Sequence, residues 1–450
     1  MVVNTNNLSL TPAQIAALPA ADQASYIKGL SPAQQALVQQ EVQQSIISSN
    51  RNFMRNSCER TAYCPVTGGS GTTAAYTSGT TLYFDFPVVP GFAKALLITY
   101  NLTVTPNAGS SATYAVNAAA PWSIFSELQV LYNGPQIRTH PYFLKLIDQT
   151  IGFERGQRNQ VVAGVNDATI AANVVGSTPI VVGSGNTWQG KMLIRLNALG
   201  EDTVPGVLPV SGVGNKPQLK LTCAPSFIGQ DPLLNPIAPV SGTGHSATTV
   251  TGNVNVDMIY LDGSNFGSPA PLSLNWMNEP TLQYYWDTPL TPFSANTIQR
   301  QTISTKLKHW YVCSIIIDAN QATQFSALSN LTGFTIGPDQ VGQQTFQNWN
   351  ISNNVSIYDF YDRMVRRPFG QDLDNGVIPW VVAPARGVLD ADNRNGTQAL
   401  NMYPGGFPAA TLSYQVGAVG SQATIAGYAA ATPRVETFLI SENSAGLKVS

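Results

Sequence analysis

The chain has 450 residues, 43% of them hydrophobic, and a formal net charge of −2 at pH 7. Charged residues make up only 11%, against roughly 25% in ordinary globular chains, so most of the surface must be Asn, Gln, Ser, Thr and Gly. That balance excludes a basic groove for nucleic acid, and sequence-specific nucleic-acid binding with it; it suits a surface packed against copies of itself, because few charges need desolvating.

The N-terminal stretch differs from the rest. Thr11-Pro12-Ala13-Gln14 and Ser31-Pro32-Ala33-Gln34 are one device used twice: a hydroxyl at N-cap, Pro at the first helical position and Gln at the third. A helix is predicted after each. The second carries a narrow apolar stripe of Val38, Val42 and Ile46 on a Gln-rich rod, and Arg51, Arg55 and Arg60 follow it. So thin a stripe cannot be a domain core. It must lie on its own β-body, on a neighbouring subunit or on a lipid surface.

Strands take over after about residue 77. Ile98, Tyr100, Leu102 and Val104 alternate with polar residues, which is the period of a half-buried strand. Further strands are predicted at 78–89, 123–132, 161–165, 187–199, 218–224 and 251–261. A helix capped by Thr139 or His140, with Pro141 in its first turn, puts Phe143, Leu146, Ile147 and Ile151 on one face. The Gly/Ser/Pro-rich passage 263–271 breaks regular pairing. A second body then repeats the plan. Strands are predicted at 282–286, 310–318, 334–336, 345–351, 377–383, 399–402, 412–416 and 435–440, and one helix at 357–366. The predicted fold class is all-β: two tandem sandwiches, each with one embedded helix, plus the helical arm. One helix among about eight strands favours a jelly roll over an immunoglobulin-like sandwich. The domain limits are drawn at 1–60, 61–270 and 271–450.

Motifs for chemistry fail on inspection. Gly185 to Met192 approximates a phosphate-binding loop, but Met192 replaces the metal-holding hydroxyl and a strand pattern follows where a helix is needed. Residues 390–396 resemble a calcium loop with Arg394 and Asn395 at the wrong places, and read as a polar turn. The histidines are His140, His245 and His309, without the clustering that a metal site needs. No GxSxG elbow occurs. No catalytic, cofactor or metal residue is therefore expected, and no enzyme activity. The four cysteines, Cys58, Cys64, Cys223 and Cys313, read as free thiols of a reducing compartment, although Cys58 and Cys64 could pair. The first residues lack a basic region followed by an apolar run, so no signal peptide is expected. No apolar stretch is long enough to span a bilayer.

Four stretches carry a resemblance. LTPAQIAAL at 10–18 is similar to a helical arm. LQVLYNGPQIRTH, leading into an aromatic helix, is similar to a strand-turn-helix. Residues 190–225, GKMLIRLNALGEDTVPGVLPVSGVGNKPQLKLTCAP, and VIPWVVAPARGVLDADNRNGTQALNMY further on follow in the same order. Together they resemble the double jelly-roll major capsid proteins of tailless icosahedral bacteriophages with an internal membrane, the tectivirus type. The resemblance implies a homotrimer of pseudo-hexagonal outline that tiles a virion shell assembled in the host cytoplasm. It implies contacts with neighbouring capsomers, with minor capsid and vertex proteins and with an internal lipid membrane. The arm would face that membrane through Arg51, Arg55 and Arg60 and pack through Val38, Val42 and Ile46. Much of the surplus length, at 161–186, 204–215 and 225–252, is expected in loops on the outer face. The alternative is a viral spike or carbohydrate-binding double β-sandwich protein.

Overall fold

The computed structural model describes residues 15, 20–32, 34–35, 38–39, 57–89, 91–106, 113–117, 119–120, 122–131, 135–144, 146, 180–181, 186–196, 208–209, 216–241, 248–262, 281–287, 298–304, 308–317, 331–338, 347–350, 377–382, 409–416, 428 and 431–443. Arg51, Arg55, Val42, Ile46, the expected strands at 161–165 and 399–402, the expected helix at 357–366 and the 390–396 turn lie outside them.

Helix α1 (Ala20–Lys28) is followed by strands β1 (Cys58–Tyr63), β2 (Thr73–Ala75), β3 (Thr81–Asp85), β4 (Phe92–Pro106), β5 (Thr113–Val116), β6 (Phe125–Leu131) and β7 (Pro135–Thr139). Then come β8 (Ile180–Val181), β9 (Asn186–Arg195), β10 (Leu208–Pro209), β11 (Gln218–Cys223), β12 (Ile237–Ser241) and β13 (Thr248–Asp262). The second module supplies β14 (Thr281–Asp287), β15 (Ile298–Ser304), β16 (Lys308–Ile317), β17 (Leu331–Pro338), β18 (Gln347–Asn350), β19 (Val377–Val382), β20 (Ala409–Val416) and β21 (Arg434–Asn443).

The first module is a sandwich around the two longest strands. β4 and β13 pair antiparallel from Thr248↔Pro106 to Leu261↔Phe92, with β1 and β2 outside β13 and β9 and β10 outside β4. The alternation read from the sequence holds: Leu96, Ile98, Tyr100, Leu102, Val254, Val256 and Met258 are buried, while Asn101 and Asn253 are exposed. Gly252 sits within β13 at φ +150°, where a Cβ would strike the carbonyl of Asn101. Only glycine lets the two backbones come that close while its carbonyl accepts from Tyr76 N–H. The facing strands β3, β11, β6 and β7 contribute Phe84, Leu219, Leu221, Leu128, Val130 and Ile137 to the same core. Residues 186–195, in the phosphate-loop look-alike, are strand β9, paired with β4 from Val104↔Asn186 to Ala95↔Arg195. All four cysteines are free, and burial pushes the Cys64 thiol up to about 12.

The second module has its own sheet of β15, β20, β17 and β18. Its other strands join the first module. An 8-stranded sheet runs β19-β16-β21-β14-β7-β6-β11-β3, crossing between modules where β14 and β7 pair in parallel at Tyr284↔Ile137 and Tyr285↔Arg138. β7 was not foreseen, because Ile137 is the one strongly apolar residue in Pro-Gln-Ile-Arg-Thr. The core is likewise shared: Cys313, Ile315, Ile317 and Phe438 belong to the cluster that fills the first sandwich.

The arm makes a small cluster of its own. Ile15 and Val38 are buried, with Tyr26, Ile27 and Leu30 packed against them. The Gln half of the expected capping box at Ser31 is present: Gln34 Oε1 accepts from the Ser31 backbone N–H at 3.3 Å and from its hydroxyl at 2.8 Å, and Gln35 N–H donates to the Ser31 carbonyl at 2.8 Å. Helix α1, between the two caps, was missed although its signals are in the sequence: Pro19 before it, Asp22 in its first turn, Lys28 in its last and Gly29 beyond.

Candidate functional site: the seam between the modules

The seam is held by charge, aromatic stacking and backbone pairing. It begins in a turn of the first module, Asp231-Pro232-Leu233-Leu234-Asn235. Asp before Pro starts such a turn, because Pro fixes φ and the carboxylate can accept from the N–H groups beyond it. Here Asp231 Oδ1 accepts from Leu233 N–H at 3.0 Å and from Leu234 N–H at 3.2 Å. Asn235 braces the turn, accepting from Asp231 N–H at 3.1 Å and donating to the Ser226 carbonyl at 2.9 Å. Asn117 Nδ2 donates to the Asn235 carbonyl at 2.6 Å.

Against this turn stands Arg434, the first residue of β21. Its Nη1 donates to Asp231 Oδ2 at 2.6 Å and its Nη2 to Oδ1 at 3.2 Å, a two-pronged grip. Its Nε donates to Glu436, and Nη1 also reaches the Thr432 carbonyl at 3.2 Å. The trio is out of water: side-chain exposure is 13% for Arg434 and Asp231 and 1% for Glu436. Burial works to lower the Arg434 pKa, but the two carboxylates outweigh it and leave it raised. A buried trio of this kind adds little net stability over apolar residues of the same shape. It does fix one geometry, since any displacement strands a charge.

Around the grip the contact is apolar and neutral. Phe143, in the helix of the first module, stacks on Phe438 of β21 with centroids 4.7 Å apart and planes 15° apart. Behind that stack, within the second module, the hydroxyls of Ser314 on β16 and Thr437 on β21 meet at 2.9 Å, both buried. His140, rather than Thr139, caps the helix through its ring: Nδ1 accepts from Tyr142 N–H at 3.1 Å, and Nε2–H donates to the Leu233 carbonyl at 2.7 Å. Burial holds its pKa down to about 4.

The seam corrects one expectation. Residues 225–252 are not mainly outer loop: Leu233, Ile237 and Ala238 are buried, and Asp231 is what the second module grips. The site residues anticipated from the sequence lie elsewhere. Arg60 sits on β1 with its Nε 3.0 Å from Asp262 Oδ2, and Val38 is in the arm cluster; the two are not brought together. The seam residues were missed. One signal was available: in a chain with 11% charge, Arg434 and Glu436 alternate with Val435 and lead into Thr, Phe, Leu, Ile at the start of β21. A charge in such company needs a buried partner.

No family model matches the sequence, and no curated protein matches it. Solved structures do match. The STIV major capsid protein superposes with a TM-score of 0.51 at 10% identity, over 87% of this chain and 98% of that one. VP54 of PBCV-1, fitted into a cryo-EM reconstruction of the virophage Sputnik, superposes with a TM-score of 0.50 at 14% identity, over 86% and 94%. The fold is thus the double jelly roll of viral major capsid proteins, as the sequence resemblance implies.

Proposed function

We propose that this chain is the major capsid protein of an icosahedral virus, assembling as a homotrimer of pseudo-hexagonal outline with two jelly rolls per subunit. The observation that carries the reading is the seam: two sandwiches joined by one sheet and a buried grip, in a fold shared over 87% of this chain with a viral major capsid protein. Low charge supports close packing between copies. The function is structural, and no catalytic step is assigned. The arm lies beneath the shell, with Val42 and Ile46 toward neighbouring subunits and Arg51 and Arg55 toward the anionic head groups of an internal membrane. Arg60, already paired with Asp262, adds little there. Minor capsid and vertex proteins complete the particle.

Native mass measurement with negative-stain imaging tests the proposal. The expected species is three times the 48.0 kDa chain, six-sided in projection. A 48.0 kDa monomer at micromolar concentration, with no particle of hexagonal outline, overturns it.

A further inference from the structure

His140 touches both segments by which the first module holds the second. Its ring caps the helix that carries Phe143, and its carbonyl accepts from Phe143 N–H at 3.0 Å. Its other nitrogen donates into the turn whose Asp231 grips Arg434. The ring has no solvent exposure. One tautomer satisfies both bonds, with Nδ1 bare and Nε2 protonated.

We propose that His140 is an acid-sensitive latch on the seam, whose protonation releases the second module from the first. A proton from solvent, taken up on Nδ1, turns an acceptor into a donor that faces the Tyr142 N–H. The helix under Phe143 loses its cap, while Nε2–H keeps its bond to the Leu233 carbonyl, which favours the imidazolium, so the ring displaced from Tyr142 pulls on the turn it holds. Both holds, Phe143 on Phe438 and Asp231 on Arg434, then slacken together. Among the described residues, the Leu233 carbonyl and Asp231 favour the imidazolium and Arg434 opposes it. Glu436 occupies the Nε side of Arg434. Burial outweighs them and keeps the ring neutral down to about pH 4. The latch goes beyond the capsid reading and stands whether or not the chain builds shells.

The buried thiols provide the test. Cys313 lies on β16 opposite Phe438, on the second-module side of the seam, while Cys64 and Cys223 lie in the first sandwich. The full chain is exposed to a dithiodipyridine reagent at steps between neutral pH and about pH 4, with labelling assigned by peptide and normalised to a free cysteine peptide at each pH. The expected result is a rise of about tenfold or more at Cys313 alone. His140→Asn, whose amide oxygen can accept from Tyr142 N–H without titrating, flattens that rise. A flat Cys313 profile in the unaltered chain overturns the latch. So does a joint rise at all three thiols, which is global unfolding, or a His140→Asn profile that matches the parent. If His140→Asn does not fold, the parent profile decides by itself.

Discussion

The arm and the seam both cover apolar side chains, but they do so over different distances along the chain. In the arm, Ile15 and Val38 are covered by Tyr26, Ile27 and Leu30, and Ser31 is capped by Gln34 three residues on. In the seam, Arg434 reaches Asp231 across 203 residues, and Phe143 meets Phe438. Structure built from neighbours in sequence can be lost with little consequence elsewhere. Structure built from distant partners is shared by everything between them.

The largest effect that separates the two belongs to Arg434. Arg434→Ala removes the cation that Asp231 and Glu436 share and is expected to cost about 3–5 kcal/mol in urea denaturation. Replacing the trio together, Asp231→Asn, whose amide oxygen still accepts from the turn, with Arg434→Met and Glu436→Leu, should recover most of that. A single-variant loss under about 1 kcal/mol would mean the grip does not hold the seam. Next comes acid. Above His140's ordinary value of 6.5 neither folded nor unfolded chain binds the proton; between 6.5 and about 4 the unfolded chain binds it and the fold does not. Stability therefore falls as pH falls through that window, by about 3 kcal/mol, and levels off below it. Denaturation midpoints at stepped pH, with His140→Asn beside them, measure this difference. Phe143→Leu keeps an apolar contact and loses the ring pair, so about 1 kcal/mol is expected from the same measurement. The smallest effect is in the arm. Ser31→Ala should cost about 1 kcal/mol of local helix stability, seen as faster amide exchange in residues 32–39. The global midpoint should not move; a shift as large as that of Phe143→Leu would show that the arm is coupled to the body.

The same contrast decides what could be read from the sequence. The caps at Ser31 and His140 and the alternation of β4 and β13 are written in residues a few places apart. So is the failure of the phosphate-loop look-alike, where Met192 and Ile194 alternate into the core as strand residues do. Two short strands were less legible. β7 and β12 each carry a proline, β7 has only one strongly apolar residue, and both form because a neighbouring strand is there to pair with. The grip was illegible as a pair, since nothing local tells Asp231 that its partner is Arg434. The scarcity of charge could have marked each residue separately.

The parallel pairing of β7 and β14 means that neither module is a finished object. Cut between residues 262 and 281, each half would expose a raw strand edge, a row of unpaired N–H and C=O groups ready to recruit any passing strand. During synthesis the first half emerges with that edge open. It waits for β14, whose other neighbour in the shared sheet, β21, is made last of the strands described. The nascent chain is therefore stickiest in the interval between making β7 and making β21, and in that interval a chaperone would have most to do.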